Sequence, residues 1–225
     1  MSDVVLLDGV TKFYSSTGGT PTMVLRQVSL TVAAGTMTSI MGPSGSGKST
    51  LLNVLGLMDH ASSGKYLLAG NDVSALDDSS VRRLRASAIG FVFQAFHLVG
   101  HLNVRDNVGL PLEYAGVGRR ERRRQCDRLL EQVGLTHRAD ASPSTLSGGE
   151  RQRAAIARAI IHEPHLVLCD EPTGNLDRRA SATVTRLLRE VCQAQRSVIV
   201  VTHDPEVAGL ADHRLALTDG VLESG

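Results

Sequence analysis

The sequence predicts an α/β fold: a parallel sheet flanked by helices, with a helical subdomain inserted into it. Three observations predict it. Apolar runs of strand length alternate with segments of helical period, which implies parallel strands joined by helical crossovers. A glycine-rich turn at residues 42–49 joins one such strand directly to a helix. The stretch over 95–163 carries helical periodicity alone, between two regions that carry strands.

In chain order, residues 4–10 and 24–32 read as strands. Between them lies the loop Ser15-Ser16-Thr17-Gly18-Gly19-Thr20-Pro21, made of turn formers. Residues 37–41 form a short apolar strand, and a helix over 49–58 follows the glycine-rich turn. Residues 66–68 and 89–93 are further strands. Helices are expected at 103–115, 119–133 and 148–162. Strand character returns at 166–169, helix at 179–193, strand at 197–201, and a strand–turn around 215–222. No internal repeat or low-complexity tract interrupts this order. The expected organisation is one domain over 1–225, with a core at about 1–94 and 164–225 and the helical subdomain at about 95–163.

Composition narrows the function. Hydrophobic residues make up 42% of the chain, enough to bury a sizeable core. The net charge of +1 lacks the basic excess of a nucleic-acid binder. Aromatics at 3% and the lack of Trp leave no base-stacking platform, so no nucleic-acid partner is expected. Cys126, Cys169 and Cys192 lie far apart and form no CxxC pair, which suits a reducing compartment. Met1-Ser2-Asp3 lacks the basic and apolar regions of an export signal. No apolar run approaches the ~20 residues that span a bilayer. The expectation is a soluble protein that serves any membrane from its cytoplasmic face.

Gly42-Pro43-Ser44-Gly45-Ser46-Gly47-Lys48-Ser49 fits G-x-x-x-x-G-K-[ST] at every fixed position, in the strand-to-helix context the motif needs. Its glycines let backbone N–H groups curl around phosphate oxygens, and the helix N-terminus adds a partial positive charge. Lys48 is placed to reach the β- and γ-phosphates of ATP. The Ser49 hydroxyl is placed to ligate Mg²⁺, and Thr50 follows as a further nucleotide contact. Downstream, Leu166-Val167-Leu168-Cys169-Asp170-Glu171 is an apolar strand ending in two carboxylates. Ligands bind at the carboxyl ends of parallel strands. There Asp170 would hold Mg²⁺, and Glu171 would take a proton from the attacking water or orient it.

Leu146-Ser147-Gly148-Gly149-Glu150-Arg151-Gln152-Arg153 resembles the signature motif of ABC ATPases, LSGGQ, with Glu150 in the final place. Physically it is a second glycine-rich anion site at a helix N-terminus. Two such sites in one chain make sense if two chains pair head to tail. Ser147, Gly148 and Gly149 of one chain would then complete the nucleotide site of the other. Further marks of the family follow in its order. Gln94 resembles the Q-loop glutamine that senses Mg²⁺ and water. Asp177 resembles the D-loop aspartate at the dimer seam. His203 resembles the switch histidine on the γ-phosphate, and Tyr14 the aromatic that stacks on adenine. The resemblance covers essentially the whole chain. It implies a P-loop NTPase (RecA-like) core with an ABC-type β subdomain and an inserted α-helical subdomain. It also implies ATP hydrolysis with Mg²⁺, a homodimer or a pair with a similar subunit, and an integral membrane permease as partner.

Phe91-Val92-Phe93-Gln94-Ala95-Phe96-His97-Leu98, Asn107-Val108 and Asp170-Glu171-Pro172-Thr173-Gly174-Asn175-Leu176-Asp177 resemble a narrower group. It holds the ATPases of lipoprotein release, macrolide and peptide export and FtsE-type cell-division complexes, so the expected permease is FtsX- or MacB-like. The appended regulatory domain of sugar-importer ATPases is expected to be absent after His203. Chromosome and DNA-repair ATPases of the same superfamily carry long coiled coils, and no sustained heptads occur here. Translation-associated relatives carry two cores in one chain, and only one set of motifs is present. The basic run Arg119–Arg124 reads as a solvated helix face, His162 and His165 as no metal site because Pro164 breaks the helix, and Cys169 as packing. The apolar residues Ala95-Phe96-His97-Leu98-Val99, beside the expected hinge at Gln94, read either as a docking groove for a permease helix or as packing inside the subdomain, since periodicity does not fix their facing.

Overall fold

The computed structural model describes residues 3–15, 21–193 and 196–224, so most of the loop expected at 15–21 lies outside the described residues. The first strands are longer than their apolar cores suggest: β1 (Asp3–Tyr14) and β2 (Thr22–Ala33) pair antiparallel. β3 (Met37–Met41) runs into the glycine-rich turn and α1 (Lys48–Leu55). This helix ends three residues before the expected Met58. Gly56 caps it, and Leu57 turns into the left-handed region at φ 55°, which no helix continues through. β4 (Ser63–Leu68) and β5 (Asn71–Asp72) return to β1, giving an antiparallel sheet of order β2-β1-β4-β5.

α2 (Asp78–Ala88) is a helix that periodicity did not announce. Its buried residues, Val81 and Ala88, are too few to draw an apolar stripe. It is fixed instead by a cap, Asp77 accepting the Ser80 N–H at 2.8 Å. β6 (Ile89–Phe93) follows, then three helices: α3 (Val104–Tyr114), α4 (Arg119–Gln132) and α5 (Gly148–Ile160). The remainder alternates: β7 (Leu166–Asp170), α6 (Arg178–Gln193), β8 (Ser197–Val201), α7 (Pro205–Ala208), then the hairpin β9 (His213–Thr218) and β10 (Val221–Ser224). The second sheet has order β10-β9-β3-β8-β7-β6, parallel except for its terminal hairpin. β8 is buried along its whole length, and β7 is buried up to Asp170, as strands covered on both faces must be.

Three apolar clusters hold these layers. One joins the antiparallel sheet to α1 through Leu7, Leu25, Leu51 and Leu68. A second packs α5 and α6 on the parallel sheet through Met37, Ile156, Val184 and Leu188. The third lies among the middle helices, through Val104, Leu130, Leu135 and Ala157. α5 feeds both the second and the third, so it couples the helical part to the sheet.

One buried polar residue fixes the chain where it leaves β6. Asn107 is fully buried on α3. Its Nδ2 donates to the carbonyls of Val99, Leu102 and Asn103 at 3.0, 3.1 and 2.9 Å, and its Oδ1 accepts the Val99 N–H at 2.6 Å. Asn107→Leu keeps the volume and strands the Val99 N–H and the Leu102 carbonyl, while the Val99 and Asn103 carbonyls keep the N–H groups of Leu102 and Asn107. The expected loss is about 2–4 kcal/mol. It should appear as a lower denaturant midpoint at unchanged slope.

Candidate active site

Ile40, Val201, Asp170 and Phe93 lie side by side across β3, β8, β7 and β6. The next residues of those four strands therefore emerge at one sheet edge: Met41-Gly42, Thr202-His203, Glu171 and Gln94. Register alone thus gathers residues far apart in sequence at the carboxyl ends of parallel strands.

Gly42 opens the turn at a close approach. A Cβ there would stand 2.1 Å from the Leu217 carbonyl oxygen, so only glycine passes. Pro43, Ser44 and Gly45 carry the exposed outer part of the loop. Gly47 caps α1 with φ 104°, no side chain caps the helix, and no acidic residue stands in its first turn. Its leading N–H groups are left for an anion. The Lys48 ammonium donates to the carbonyls of Gly42 and Pro43 at 2.8 and 2.7 Å. Ser46 Oγ is buried without a hydrogen-bond partner. Open helix N–H groups, a lysine with a third proton to give and an orphan hydroxyl form a cradle that fits a phosphate chain.

Glu171 sits at φ 44°, a conformation that side chains other than glycine rarely adopt. Its N–H is tied to the Val201 carbonyl at 2.9 Å. Its Oε1 is 2.8 Å from His203 Nδ1, and its Oε2 accepts from the His203 N–H and the Thr202 hydroxyl, each at 3.3 Å. A carboxylate can only accept, so His203 Nδ1 carries a proton. The Asp170 carboxylate makes no hydrogen bond or ion pair among the described residues. Burial pushes its carboxyl up, the neighbouring Glu171 charge adds to this, and Lys48 opposes it. Gln94 donates through Nε2 to Asn175 Oδ1 at 3.3 Å, and Asn175 Nδ2 donates back to the Gln94 carbonyl at 3.0 Å. Gln94 Oε1 stays without a partner among the described residues. No three His, Cys, Asp or Glu residues form a metal-holding group among the described residues. Ser49, Asp170 and Gln94 each offer a hard oxygen of the kind that Mg²⁺ shared with phosphates accepts.

Two further parts stand on their own elements. Ser147 caps α5: its Oγ accepts the Glu150 N–H at 3.3 Å, while Glu150 Oε2 accepts the Ser147 N–H at 2.8 Å. Gly149 presses on α6, where a Cβ would meet Ala180 Cβ at 2.9 Å. Ser147, Gly148 and Gly149 line a cleft of about 280 Å³ together with Asn175 and Asp177. Asp177 itself caps the start of α6, accepting the Ala180 N–H at 2.8 Å. Tyr14 is 42% exposed, donates to Asp59 Oδ2 at 2.8 Å and lies beside Thr50. The Lys12 ammonium stands 4.9 Å over its ring and 2.6 Å from Asp59.

The structure therefore brings Lys48, Asp170, Glu171, His203 and Gln94 to one edge. It sets Ser147 and Asp177 together in a separate cleft. Asn175, Thr202 and Asp59 are supporting residues that motif reading passed over. Asn175 alone had a signal, standing inside Gly174-Asn175-Leu176-Asp177, yet nothing local tells that it reaches Gln94.

Residues 25–174 match the family model described as ABC transporter. The chain is 44% identical over 220 residues to the macrolide export ATP-binding/permease protein MacB 1 of Yersinia pestis, covering 98% of this chain and 34% of the relative. It is 46% identical over 208 residues to the MacB protein of Bradyrhizobium diazoefficiens, covering 92% of this chain and 32% of the relative. The chain thus spans about a third of the length of the curated relatives it matches. Among solved structures, the ATP-binding cassette MJ0796, a dimer in a post-hydrolysis state bound to ADP and Pi, superposes with TM-score 0.87 at 37% identity, over 98% of each chain. CbiO1 of Clostridium perfringens, part of the ABC transporter complex cbiONQ, gives TM-score 0.88 at 27% identity, over 99% of this chain and 88% of that one.

Proposed function

The chain belongs to the ABC transporter family, as an ATPase domain of it, and from that premise we propose that it drives a membrane permease as an ATP-closed dimer. The permease is FtsX- or MacB-like, and the system one of export, lipoprotein release or mechanotransmission. The helical part over about 95–163 acts as the moving subdomain against a core at about 1–94 and 164–225. No described helix is long and apolar enough to cross a membrane. In the proposed complex the chain works at the cytoplasmic face of the membrane, against the permease.

The observation that carries this reading is the Glu171–His203 pair, at 2.8 Å, on the sheet edge where the phosphate loop opens. ATP lies with its phosphates on the loop of residues 42–49 and its adenine against Tyr14. Lys48 has three donors, and two of them serve loop carbonyls, so one remains for the phosphate chain. Glu171 accepts the proton of the attacking water at the free edge of its carboxylate. His203 is held by Glu171 through Nδ1, and donating from Nε2 to the γ-phosphate as well requires the imidazolium. Ser49, Asp170 and Gln94 Oε1 would hold Mg²⁺, which when bound neutralises phosphate charge. Ser147, Gly148 and Gly149 of the second chain close the site, with Asp177 at the seam.

The permease side is testable at Phe96. Its carbonyl and that of His97 accept from Arg158 at 2.8 and 2.5 Å, which pins this strained turn. Leu98 is half-buried against the third cluster, which supports packing rather than docking for this residue. Phe96 is half-buried outside that cluster. Phe96→Asp should leave ATP turnover of the isolated chain close to the parent's. It should abolish co-purification with the permease from detergent-solubilised membranes and stimulation by it. Unchanged stimulation would place the docking surface elsewhere.

A further inference from the structure

The final residue of the signature loop carries a charge of the wrong sign for its task. An anion site at a helix N-terminus works through open N–H groups and the positive end of the dipole. Glu150 brings a carboxylate into that first turn and takes up the Ser147 N–H itself, at 2.8 Å. The Ser147 N–H and, after it, Arg138 hold the Glu150 carboxyl down at about 2 against the effect of burial, so it is ionised at neutral pH. A neighbouring chain's triphosphate would meet this charge.

The structure supplies a counter-charge from outside the motif. Arg138 Nε donates to Glu150 Oε1 at 2.9 Å, and His137 Nε2 lies 3.7 Å from the same oxygen. Arg138 is not a loose surface arginine. It ends a 3₁₀ turn (Thr136–Arg138) set between fully buried Leu135 and buried Ala139. The start of α3 grips the following segment, with the Arg105 N–H on the Ala139 carbonyl at 2.9 Å and the Val104 N–H on the Ala141 carbonyl at 3.0 Å. The arginine is thus presented to Glu150 by packed backbone. With one Glu150 oxygen on the Ser147 N–H and the other on Arg138, Ser147 Oγ is fixed as acceptor of the Glu150 N–H. Its own hydroxyl proton stays free to point outward.

We propose that Arg138 is a positioning residue of the composite nucleotide site, cancelling the Glu150 charge and locking the Ser147 cap so that the loop can receive the partner chain's phosphates. This rests on the reading that Ser147 acts in trans.

The test compares the full chain with Arg138→Gln, Glu150→Gln and the double variant. Arg138→Gln should raise the ATP concentration for half-maximal turnover and for dimer formation about three- to tenfold, the scale of one partly screened charge. The effect on kcat should be smaller. The rise should shrink at high salt, and Arg138→Lys, which keeps the charge, should recover most of it. In the Glu150→Gln background, losing Arg138 should shift half-saturation less than about twofold, because no charge remains to be cancelled. An equal shift in both backgrounds would show a merely structural loop contact and overturn the proposal, as would no shift in either. Ser147→Arg is the control. If it leaves ATP-driven dimerisation intact, the trans reading itself fails; if it abolishes dimerisation while Arg138→Gln is silent, only the role of Arg138 fails.

Discussion

Glu171→Gln is expected to bind ATP and to lose turnover by about 10²–10⁴-fold, the range set by removing a positioned general base. The substitution is nearly isosteric. The Gln carbonyl oxygen can still accept from His203 Nδ1, so the contact now at 2.8 Å can persist. The backbone tie to the Val201 carbonyl is untouched, and so is the strained φ of 44°. What disappears is the acceptor for a proton. The phosphate loop and Lys48 are unchanged, so nucleotide affinity should stay close to the parent's. A chain that binds ATP and cannot cleave it should then accumulate as the closed dimer, visible as a doubled mass by light scattering with ATP and as a monomer with ADP. Turnover at the parent rate would remove Glu171 from the chemistry and leave it as an anchor for His203.

The sequence showed some of this site and hid the rest, and the division has a physical cause. The phosphate loop is legible because its chemistry is local: eight consecutive residues build the turn, the glycines and the helix start. The strand ends at Gln94, Asp170 and His203 are legible because apolar runs mark the strands and the sheet brings their ends together. Side-chain pairing across the fold is not written in any window. Glu171 meets His203, Gln94 meets Asn175 and Arg138 meets Glu150 only because separate elements place them there. Asp177 is local by contrast, a motif aspartate whose carboxylate accepts from the Ala180 N–H three residues on. The missed helix α2 has a different origin: its cap, Asp77 on the Ser80 N–H, is local, but only Val81 and Ala88 are buried and no apolar stripe marks it. The facing of Leu98 stayed open for a related reason: periodicity says a residue is apolar, not which neighbour it covers.

Mixing two inactive chains should restore activity, and this is the outcome that most directly separates one-chain from two-chain chemistry. Ser147 stands at the start of α5 in the cleft it shares with Asp177, while Lys48 stands on the sheet edge. If each nucleotide is bound by one chain's Lys48 and the other's Ser147, Lys48→Ala and Ser147→Arg damage different halves of every site. Each homodimer then has two broken sites. A heterodimer concentrates both lesions in one site and leaves the other whole. An equimolar mixture that exchanges freely is half heterodimer, each with one working site, so about a quarter of the parent activity is expected if sites act independently. Coupling between sites would lower that figure without abolishing recovery. Ser147→Arg also removes a helix cap worth about 1 kcal/mol, so Ser147→Ala, which loses the cap without adding bulk, sets the baseline for a folding defect. The mixture is assayed by phosphate release after heterodimers have been verified by differential tags. Activity no higher than the mean of the two separate variants, with heterodimers present, would mean that Ser147 serves its own chain or none, and the head-to-tail arrangement would have to be abandoned.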